Sequence, residues 1–181
     1  MSNLSCAFIG CHPTRFHFKY KENYSLCKKI KAALLEQAKI MYKTGVRRFY
    51  IGGALGVDMW AGELLISMKE SPAYKDIEII CVIPFEGHDG RWDTPSKRRF
   101  AKLLSGCDKK IVAGKTDQLD AHKARSYYMI DCSECLIAVY DDSEKVRSAT
   151  SQAINYARKR GLKISFIHPD TSKIIKTENK K

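Results

Sequence analysis

Short apolar runs alternate along the chain with stretches whose apolar residues recur at helical spacing. Six of the apolar runs are typical of β-strands in length and composition. They are LSCAFIG (4–10), VRRFYIG (46–52), IEIICVIPF (77–85), KKIVAG (109–114), CLIAVYDD (135–142) and LKISFI (162–167). The third is almost wholly apolar, which indicates a strand that is buried on both faces of a parallel sheet.

The segments between these runs predict helices. The clearest apolar stripe is formed by Leu26, Ile30, Leu34, Ala38 and Met41, and it ends before Gly45. Further helices are predicted after Gly56, from Thr94 through Leu104, and over DAHKARSYYMIDCS and SATSQAINYARKRG. Thr94 and Pro95 are a suitable N-cap and first-turn pair for the third helix.

Strands and helices that alternate with short connections predict an α/β protein. We expect a three-layer, Rossmann-like single domain with a mainly parallel sheet over residues 1–170, and a flexible basic tail over residues 171–181. Such folds bind ligands at the carboxyl ends of their strands, near the point where the strand order reverses. The residues that follow each strand are therefore the candidates for a site.

Composition narrows the class of protein. The chain has 181 residues, of which 44% are hydrophobic and 29% charged, as in an ordinary globular domain. No apolar stretch approaches the ~20 residues of a membrane span, and the N-terminus does not resemble an export signal. Seven cysteines, several in apolar runs, favour free thiols in a reducing cytoplasm. The single CxxC, Cys132 to Cys135, has no second pair and the histidines show no ligand spacing, so we expect no metal site.

The formal net charge of +12 leaves two interpretations open. Lysines scattered over helix faces are typical of a solvated surface. A charge of this size also favours an anionic partner such as a phosphate ligand or a nucleic acid.

The segment IGGALGVDMWAGE (51–63) holds three glycines, Gly52, Gly53 and Gly56, where a strand ends and a helix begins. It is either a tight turn or a place where backbone approaches a ligand, and it does not match the dinucleotide fingerprint. Asp58, in the first helical turn, complements the helix dipole or accepts hydrogen bonds from ribose hydroxyls. Glu63 falls on the buried side of the helix, where a carboxylate needs a partner or a role.

Two other strand ends offer candidates of the same kind. After the first strand, Gly10 permits close approach to a ligand, and His12 and Arg15 follow it; the alternative is a proline-stiffened turn with a solvated arginine. After the third strand, Phe85 and Trp92 lie in a glycine-containing loop that either closes over a ring or packs on the surface.

The C-terminal half adds further candidate ligand-binding residues. Arg125, on the predicted fourth helix, is a phosphate candidate, and Asp141 ends the fifth strand. Ser148 and Thr150 precede the last predicted helix, where they cap it and place its free N–H groups against an anion. Capping alone also accounts for these two residues.

Taken together, the motifs resemble the YpsA-like proteins of the SLOG superfamily, a Rossmann-like group. The likeness runs from Cys6 to about Ile167 and rests on CAFIGCHPTRF, IGGALGVDMWAGE, VIPFEG…RW, ARSYYMIDCSECLIAVYDD and INYA. The resemblance implies binding of a nucleotide or a nucleotide-derived ligand in a homodimer or a higher homo-oligomer. We expect the protein to sense or sequester this ligand, such as an ADP-ribose-like molecule, and to require no cofactor. The residues implied in binding are Gly10, Gly53, Gly56, Asp58 and Glu63.

Two relatives in the superfamily imply alternatives. The "lonely guy" phosphoribohydrolases imply a nucleotide N-glycosidase in which Glu63 is catalytic, and DNA-processing protein A implies a DNA-binding protein. The chain departs from the family at three places: it reads GCHP where the family has Gly-His-Arg-Pro, RS where Arg-Asn is common, and SAT (148–150) where Gly-Gly-Thr is frequent. The last departure weighs against the hydrolase, since the glycine-rich loop of the phosphoribohydrolases is absent here and a β-carbon at Ala149 obstructs the closest backbone approach to phosphate.

Overall fold

The computed structural model describes residues 4–115, 119–143 and 146–176. These residues form seven strands, which are Leu4–Gly10 (β1), Val46–Ile51 (β2), Glu78–Ile83 (β3), Lys109–Val112 (β4), Cys135–Val139 (β5), Lys163–Ile167 (β6) and Ile174–Lys176 (β7). They also form five α-helices, which are Ser25–Lys43 (α1), Val57–Glu70 (α2), Thr94–Gly106 (α3), Leu119–Asp131 (α4) and Ala149–Lys159 (α5).

All seven strands belong to one sheet in the order β4-β3-β2-β1-β5-β6-β7. Each neighbouring pair is parallel except β6 and β7, which are antiparallel. The chain runs from β1 outward to β4 and then returns to place β5 on the other side of β1. The strand order therefore reverses between β1 and β5, whose last residues, Gly10 and Val139, are register partners.

Helices cover both faces of the sheet, so the fold has three layers. Along β1, Phe8 belongs to the buried cluster under α1, α2 and α3, whereas its neighbour Ile9 belongs to the cluster under α4 and α5. This alternation follows from the two-residue period of a strand. The α/β, Rossmann-like prediction is confirmed. Within the described residues, no helix combines the length and the apolarity needed to cross a membrane.

Each of the six predicted strands is present within three residues of its expected ends. Two details differ from expectation. The N-cap of α3 is Asp93, whose carboxylate accepts the Ser96 N–H at 2.7 Å, so Thr94 is already helical. The predicted tail is not wholly irregular, because residues 174–176 form β7 on the edge of β6. Three residues carry too little periodicity to predict a strand, and residues 177–181 lie outside the described part of the chain.

Candidate functional site: a cleft where the strand order reverses

A cleft of about 880 Å³ opens at the carboxyl ends of β1 and β5. This volume lies within the usual range for small-ligand sites. Of the predicted site residues, the structure brings nine to the cleft wall: Gly10, His12, Arg15, Asp58, Trp92, Arg125, Asp141, Ser148 and Thr150. The remaining five, Gly52, Gly53, Gly56, Glu63 and Phe85, are not among the residues that line it.

Side chains form hydrogen bonds with backbone N–H and carbonyl groups of the glycine turn after β2. The Gly52 N–H donates to the Asp58 carboxylate at 3.1 Å, and the Gly52 carbonyl accepts a hydrogen bond from Arg125 Nη1 at 3.1 Å. His88 Nε2 donates to the Gly53 carbonyl at 2.9 Å. The turn thus positions Asp58, Arg125 and His88, which line the cleft, and the expectation that its amides hold a ligand stays a prediction.

Asp58 acts as the brace of this turn. Burial raises the pKa of its carboxyl group, while Arg125 and the N–H groups of Gly52 and Ala54 oppose that rise. Its Oδ2 lies 3.9 Å from Arg125 Nη1, and the side chain is only 10% exposed. The carboxylate thus already accepts hydrogen bonds inside the protein, which leaves little capacity for ribose hydroxyls.

Two of the glycines are required by internal packing. A β-carbon on Gly10 would lie 2.4 Å from Cβ and Cγ2 of Val57, so β1 meets the start of α2 only if residue 10 has no side chain. Gly56 has a φ of +87°, and a β-carbon there would lie 2.9 Å from Cδ of Pro13. Glycine at positions 10 and 56 therefore lets the turns after β1 and β2 pack closely together. This packing explains why glycine occurs at these two positions.

An aromatic group forms one end of the cleft. The His88 ring packs edge-on against Trp92, Phe85 and Phe100, with ring centroids 5.3, 6.3 and 5.0 Å away. Phe85 thus supports the lining without joining it. Sequence reasoning missed His88 as a site residue, although it lies in the loop that holds Phe85 and Trp92. The hydrogen bond to the Gly53 carbonyl orients the His88 ring, and the local sequence around His88 does not reveal this distant partner.

Two buried polar atoms of cleft residues have no hydrogen-bond partner within the described ranges. They are Nδ1 of His88 and Nε of Arg125. Buried polar atoms are nearly always paired in folded proteins. Both atoms have almost no exposed surface, so they do not face the open cleft in this arrangement.

The N-terminus of α5 forms another wall. Ser148 and Ser151 make a capping box, in which each hydroxyl accepts the backbone N–H of the other residue, at 3.0 and 2.8 Å. Thr150 Oγ1 donates to the Gly10 carbonyl at 3.5 Å and joins α5 to the end of β1. The N–H groups of Ala149 and Thr150 have no intrahelical acceptor, and the helix dipole favours an anion beside them.

Charged side chains of the cleft wall balance one another. Arg15, Lys123 and Arg125 are matched by three carboxylates, those of Asp58, Asp120 and Asp141. Arg125 faces Asp58, and Arg15 pairs with Asp170 outside the wall at 3.3 Å. Among the described residues, the net charge of +12 is therefore not concentrated on this wall, and the N-terminus of α5 offers an anion site there.

A possible cation cluster at the cleft mouth is already paired internally. Asp141, His168 and Asp170 bring three potential ligand atoms within 4.8 Å of one another. However, Arg15 pairs with Asp170, and His168 Nδ1 accepts the Asp170 N–H at 3.1 Å. A guanidinium at this position opposes a metal ion, so the chemistry of the cluster does not favour one.

Glu63 does not line the cleft and pairs instead with a residue of α3. Arg99 Nε and Nη2 donate to its two carboxylate oxygens at 2.6 and 2.7 Å. Arg99 Nη1 also donates to Glu22 at 2.6 Å, so the three side chains tie α2, α3 and the segment before α1 together. The binding and catalytic roles that the resemblance implies for Glu63 therefore have no geometric support.

Acid is expected to weaken this cluster at Glu22. Burial alone would raise its pKa, but hydrogen bonds from Arg99 and Lys31 outweigh burial and lower the pKa to about 2. Because the folded pKa lies below the unfolded value near 4.3, the stabilisation is present above that value and is lost as pH falls towards 2. Allowing for partial exposure, we expect Glu22→Gln to lower the free energy of unfolding by about 2 kcal/mol at pH 7 and by almost nothing near pH 2.

Urea unfolding of both proteins at pH 7, 4.5 and 2.5 measures this difference. Glu36→Gln, which removes an exposed carboxylate from α1, is the matched control and should change stability by less than about 0.5 kcal/mol. If Glu22→Gln lowers the free energy of unfolding by the same amount at all three pH values, the ionised Glu22 carboxylate is not the source of the stabilisation.

The sheet order and the cleft define a Rossmann-like domain whose candidate ligand site lies where the strand order reverses. The chain belongs to the YspA SLOG family, whose YpsA model matches residues 6–172. This confirms the resemblance seen in the strand-end motifs.

Relatives are found in several bacteria. The chain is 32% identical to YoqJ, an uncharacterized SPbeta prophage-derived protein of Bacillus subtilis, over 76% of this chain and 85% of that protein. It is 23% identical to a UPF0398 protein of Staphylococcus epidermidis, over 70% of this chain and 67% of that protein.

The fold also has a counterpart among solved structures. It is similar to DNA processing protein A from Helicobacter pylori, reported for its unique single-stranded DNA binding mode, with a TM-score of 0.56 and 18% identity. The likeness covers 91% of this chain and 65% of that one, so this chain spans slightly less than two thirds of its structural neighbour. At this identity the likeness concerns the fold.

Proposed function

We propose that the cleft binds a nucleotide or a nucleotide-derived ligand. Its phosphate would lie at the N-terminus of α5, and its base would lie towards Trp92 and His88. The observation that carries the proposal is the placement of the free N–H groups of α5 and this aromatic group on the wall of one 880 Å³ cleft. Each feature alone is common, but together they match the anionic and the planar parts of a nucleotide.

The polar atoms of the cleft support the same ligand class. A base edge or a ribose offers both donors and acceptors, and His12, Ser126 and Gln152 are among the polar residues that line the cleft. The balanced charge of the wall disfavours a ligand held mainly by side-chain ion pairs. Backbone N–H groups at a helix end hold a phosphate without a basic cluster.

Titration calorimetry with the four ribonucleoside monophosphates, ADP-ribose, adenosine and ribose 5-phosphate tests the proposal. We expect at least one nucleotide to bind with a Kd below about 100 µM, and its nucleoside to bind at least tenfold more weakly, because the phosphate contact is lost. If no compound binds at millimolar concentration, the proposal is wrong.

Ala149→Pro removes one proposed phosphate contact with little disturbance of the helix. Proline fits the first helical position, where its missing N–H has no intrahelical acceptor, and Ser148 already has the extended backbone that a following proline requires, at φ −143° and ψ 168°. We expect nucleotide affinity to fall about tenfold, as for the loss of one charge-assisted hydrogen bond, with an unchanged melting temperature.

Ser25→Pro is the control, because it makes the same change at the first residue of α1, which does not line the cleft. Its affinity for the nucleotide should equal that of the wild type. Equal losses in the two variants would show that the effect does not come from the α5 contact.

Single-stranded DNA is a second candidate ligand, favoured by the net charge of +12 and by the structural likeness to DNA processing protein A. Binding through scattered surface lysines would weaken steeply with salt and would not be displaced by a mononucleotide. Fluorescence anisotropy of a labelled oligonucleotide, with salt and with nucleotide as competitors, separates this candidate from occupation of the cleft.

A further inference from the structure

We propose that a side pocket beside the cleft is a second phosphate subsite, so that the ligand is a nucleoside phosphorylated at both its 5′ and 3′ ends. Such a group occurs free, as a nucleoside bisphosphate, or inside an oligonucleotide. The inference rests on the proposed function and specifies its ligand class.

The side pocket adjoins the cleft. It measures about 330 Å³ and lies between the residues that follow β5 and the face of α5 from Ser151 to Arg158. Tyr140, Val146 and Gln152 line both cavities and form the ridge between them. A ligand whose first phosphate lies at the start of α5 therefore reaches the side pocket by crossing this ridge along the helix.

One face of α5 lines the pocket with polar side chains. Ser151, Asn155 and Arg158 are spaced by four and three residues, so they lie above one another on the helix. Asn155 is six residues from Ala149, about 9 Å along the axis. In a nucleoside diphosphate the two phosphates are bonded to each other and would both lie at the start of α5. In a nucleoside with 5′ and 3′ phosphates, the nucleoside separates the two groups, so the second phosphate can lie further along this face of the helix.

The charge of the pocket differs from that of the cleft. Among the residues that the structure describes, its wall carries Arg147 and Arg158 against one carboxylate, Asp142. Arg158 Nη2 donates to both oxygens of Asp142 at 2.6 Å, so these two charges offset each other. Arg147 has no ion-pair partner within residues 4–115, 119–143 and 146–176, which leaves one positive charge in the pocket. The cleft wall, in contrast, has three cations and three carboxylates.

This arrangement suits a phosphate better than a purely structural role. Arg158 has a structural explanation, since it pairs with Asp142 and its guanidinium lies 5.6 Å from the centre of the Phe166 ring. Arg147 has no such contact with the described part of the chain, and it lines the pocket with the amides of Gln152 and Asn155 as neutral hydrogen-bonding groups. A guanidinium with neutral donors beside it is a common way to hold a phosphate.

Calorimetry with adenosine 5′-monophosphate, adenosine 3′,5′-bisphosphate and a deoxyadenosine hexanucleotide tests the inference. We expect the wild type to bind a doubly phosphorylated probe about tenfold more tightly than the monophosphate. Arg147→Ala should remove most of that advantage and leave monophosphate affinity within about twofold. A preference for the bisphosphate indicates a free ligand, and a preference for the hexanucleotide indicates a strand.

Arg160→Ala is the matched control. It also removes one positive charge next to α5, at the C-terminal end of the helix. Arg160 pairs with Asp131 at 2.9 Å and lines neither cavity. Loss of affinity in both arginine variants would show a general effect of charge and overturn the subsite.

The remaining outcomes distinguish the two proposals. If Ala149→Pro weakens every nucleotide while Arg147→Ala weakens none, the cleft binds nucleotide and the side pocket is not a subsite. If Arg147→Ala weakens the monophosphate as much as the doubly phosphorylated probes, the subsite is also wrong. If the wild type binds no probe, both proposals fail.

Discussion

Asp58→Ala is expected to lower the free energy of unfolding by about 3 kcal/mol at pH 7. The substitution leaves the N–H groups of Gly52 and Ala54 without their acceptor, and it leaves Arg125 buried opposite no carboxylate. Each unsatisfied buried group costs about 1–3 kcal/mol, and the cost of ionising a buried carboxylate offsets part of that sum. Urea unfolding followed by circular dichroism measures the change.

The pH dependence of this deficit has a definite sign. Because burial raises the folded pKa of Asp58 above its unfolded value, its stabilisation is full below the unfolded value near 3.9 and declines as pH rises through the folded pKa. The deficit of Asp58→Ala should therefore be larger at pH 4 than at pH 7. This direction is opposite to the one expected for Glu22.

Two further variants locate the cause of the loss. Asp120→Ala removes an exposed carboxylate from the same cleft wall and should change stability by less than about 0.5 kcal/mol. Arg125→Met combined with Asp58→Ala removes both charges and should recover part of the loss, because no unpaired charge stays buried. A loss below about 1 kcal/mol for Asp58→Ala would show that the carboxylate does not brace the turn.

Gly10→Ala is expected to cost about 3 kcal/mol, at the upper end of the range for overpacking. The added methyl group would lie 2.4 Å from Val57, which is too close for any real contact, so β1 or the start of α2 must move. Thermal and urea unfolding measure the effect. The same movement would displace the Gly10 carbonyl from Thr150, so nucleotide affinity should fall as well.

A compensating substitution separates packing from ligand approach. Val57→Gly opens the space that the new methyl group needs, so the double variant should be more stable than the sum of the two single changes implies. A coupling of at least about 1 kcal/mol indicates that residue 10 is glycine for packing. Strictly additive changes would contradict this explanation.

The homodimer and the cytoplasmic location stay predictions. Light scattering coupled to size-exclusion chromatography measures the first directly, with and without nucleotide. If nucleotide changes the mass, the oligomeric state is linked to occupation of the cleft.

Much of the fold could be predicted because its signals are local. The six parallel strands are apolar runs, since a strand covered by helices on both faces must be apolar along its length. β7 was missed because a three-residue edge strand owes its form to the free backbone groups of β6 rather than to its own pattern. The cap of α3 was misplaced by one residue, since Asp93 and Thr94 are both good capping types.

The site was predictable only in outline. Residues that follow strands could be expected to gather at one edge, and nine of the fourteen candidates do line the cleft. Their roles could not be predicted, because each depends on a partner distant in sequence. Glu63 meets Arg99 thirty-six residues away, Gly53 meets His88 thirty-five residues away, and Gly52 meets Arg125 seventy-three residues away.

The sequence by itself determined the α/β class, the parallel strands, the family, and the edge of the sheet where a ligand site belongs. These properties follow from hydrophobic periodicity and turn chemistry, which act over a few residues. Only the tertiary structure decided that the glycines serve packing, that Asp58 braces a turn, that Glu63 lies away from the cleft, and that Arg147 borders a second cavity. Those outcomes depend on strand order and on close contacts between distant segments, and the hydrophobic pattern carries no information about which side chains will meet.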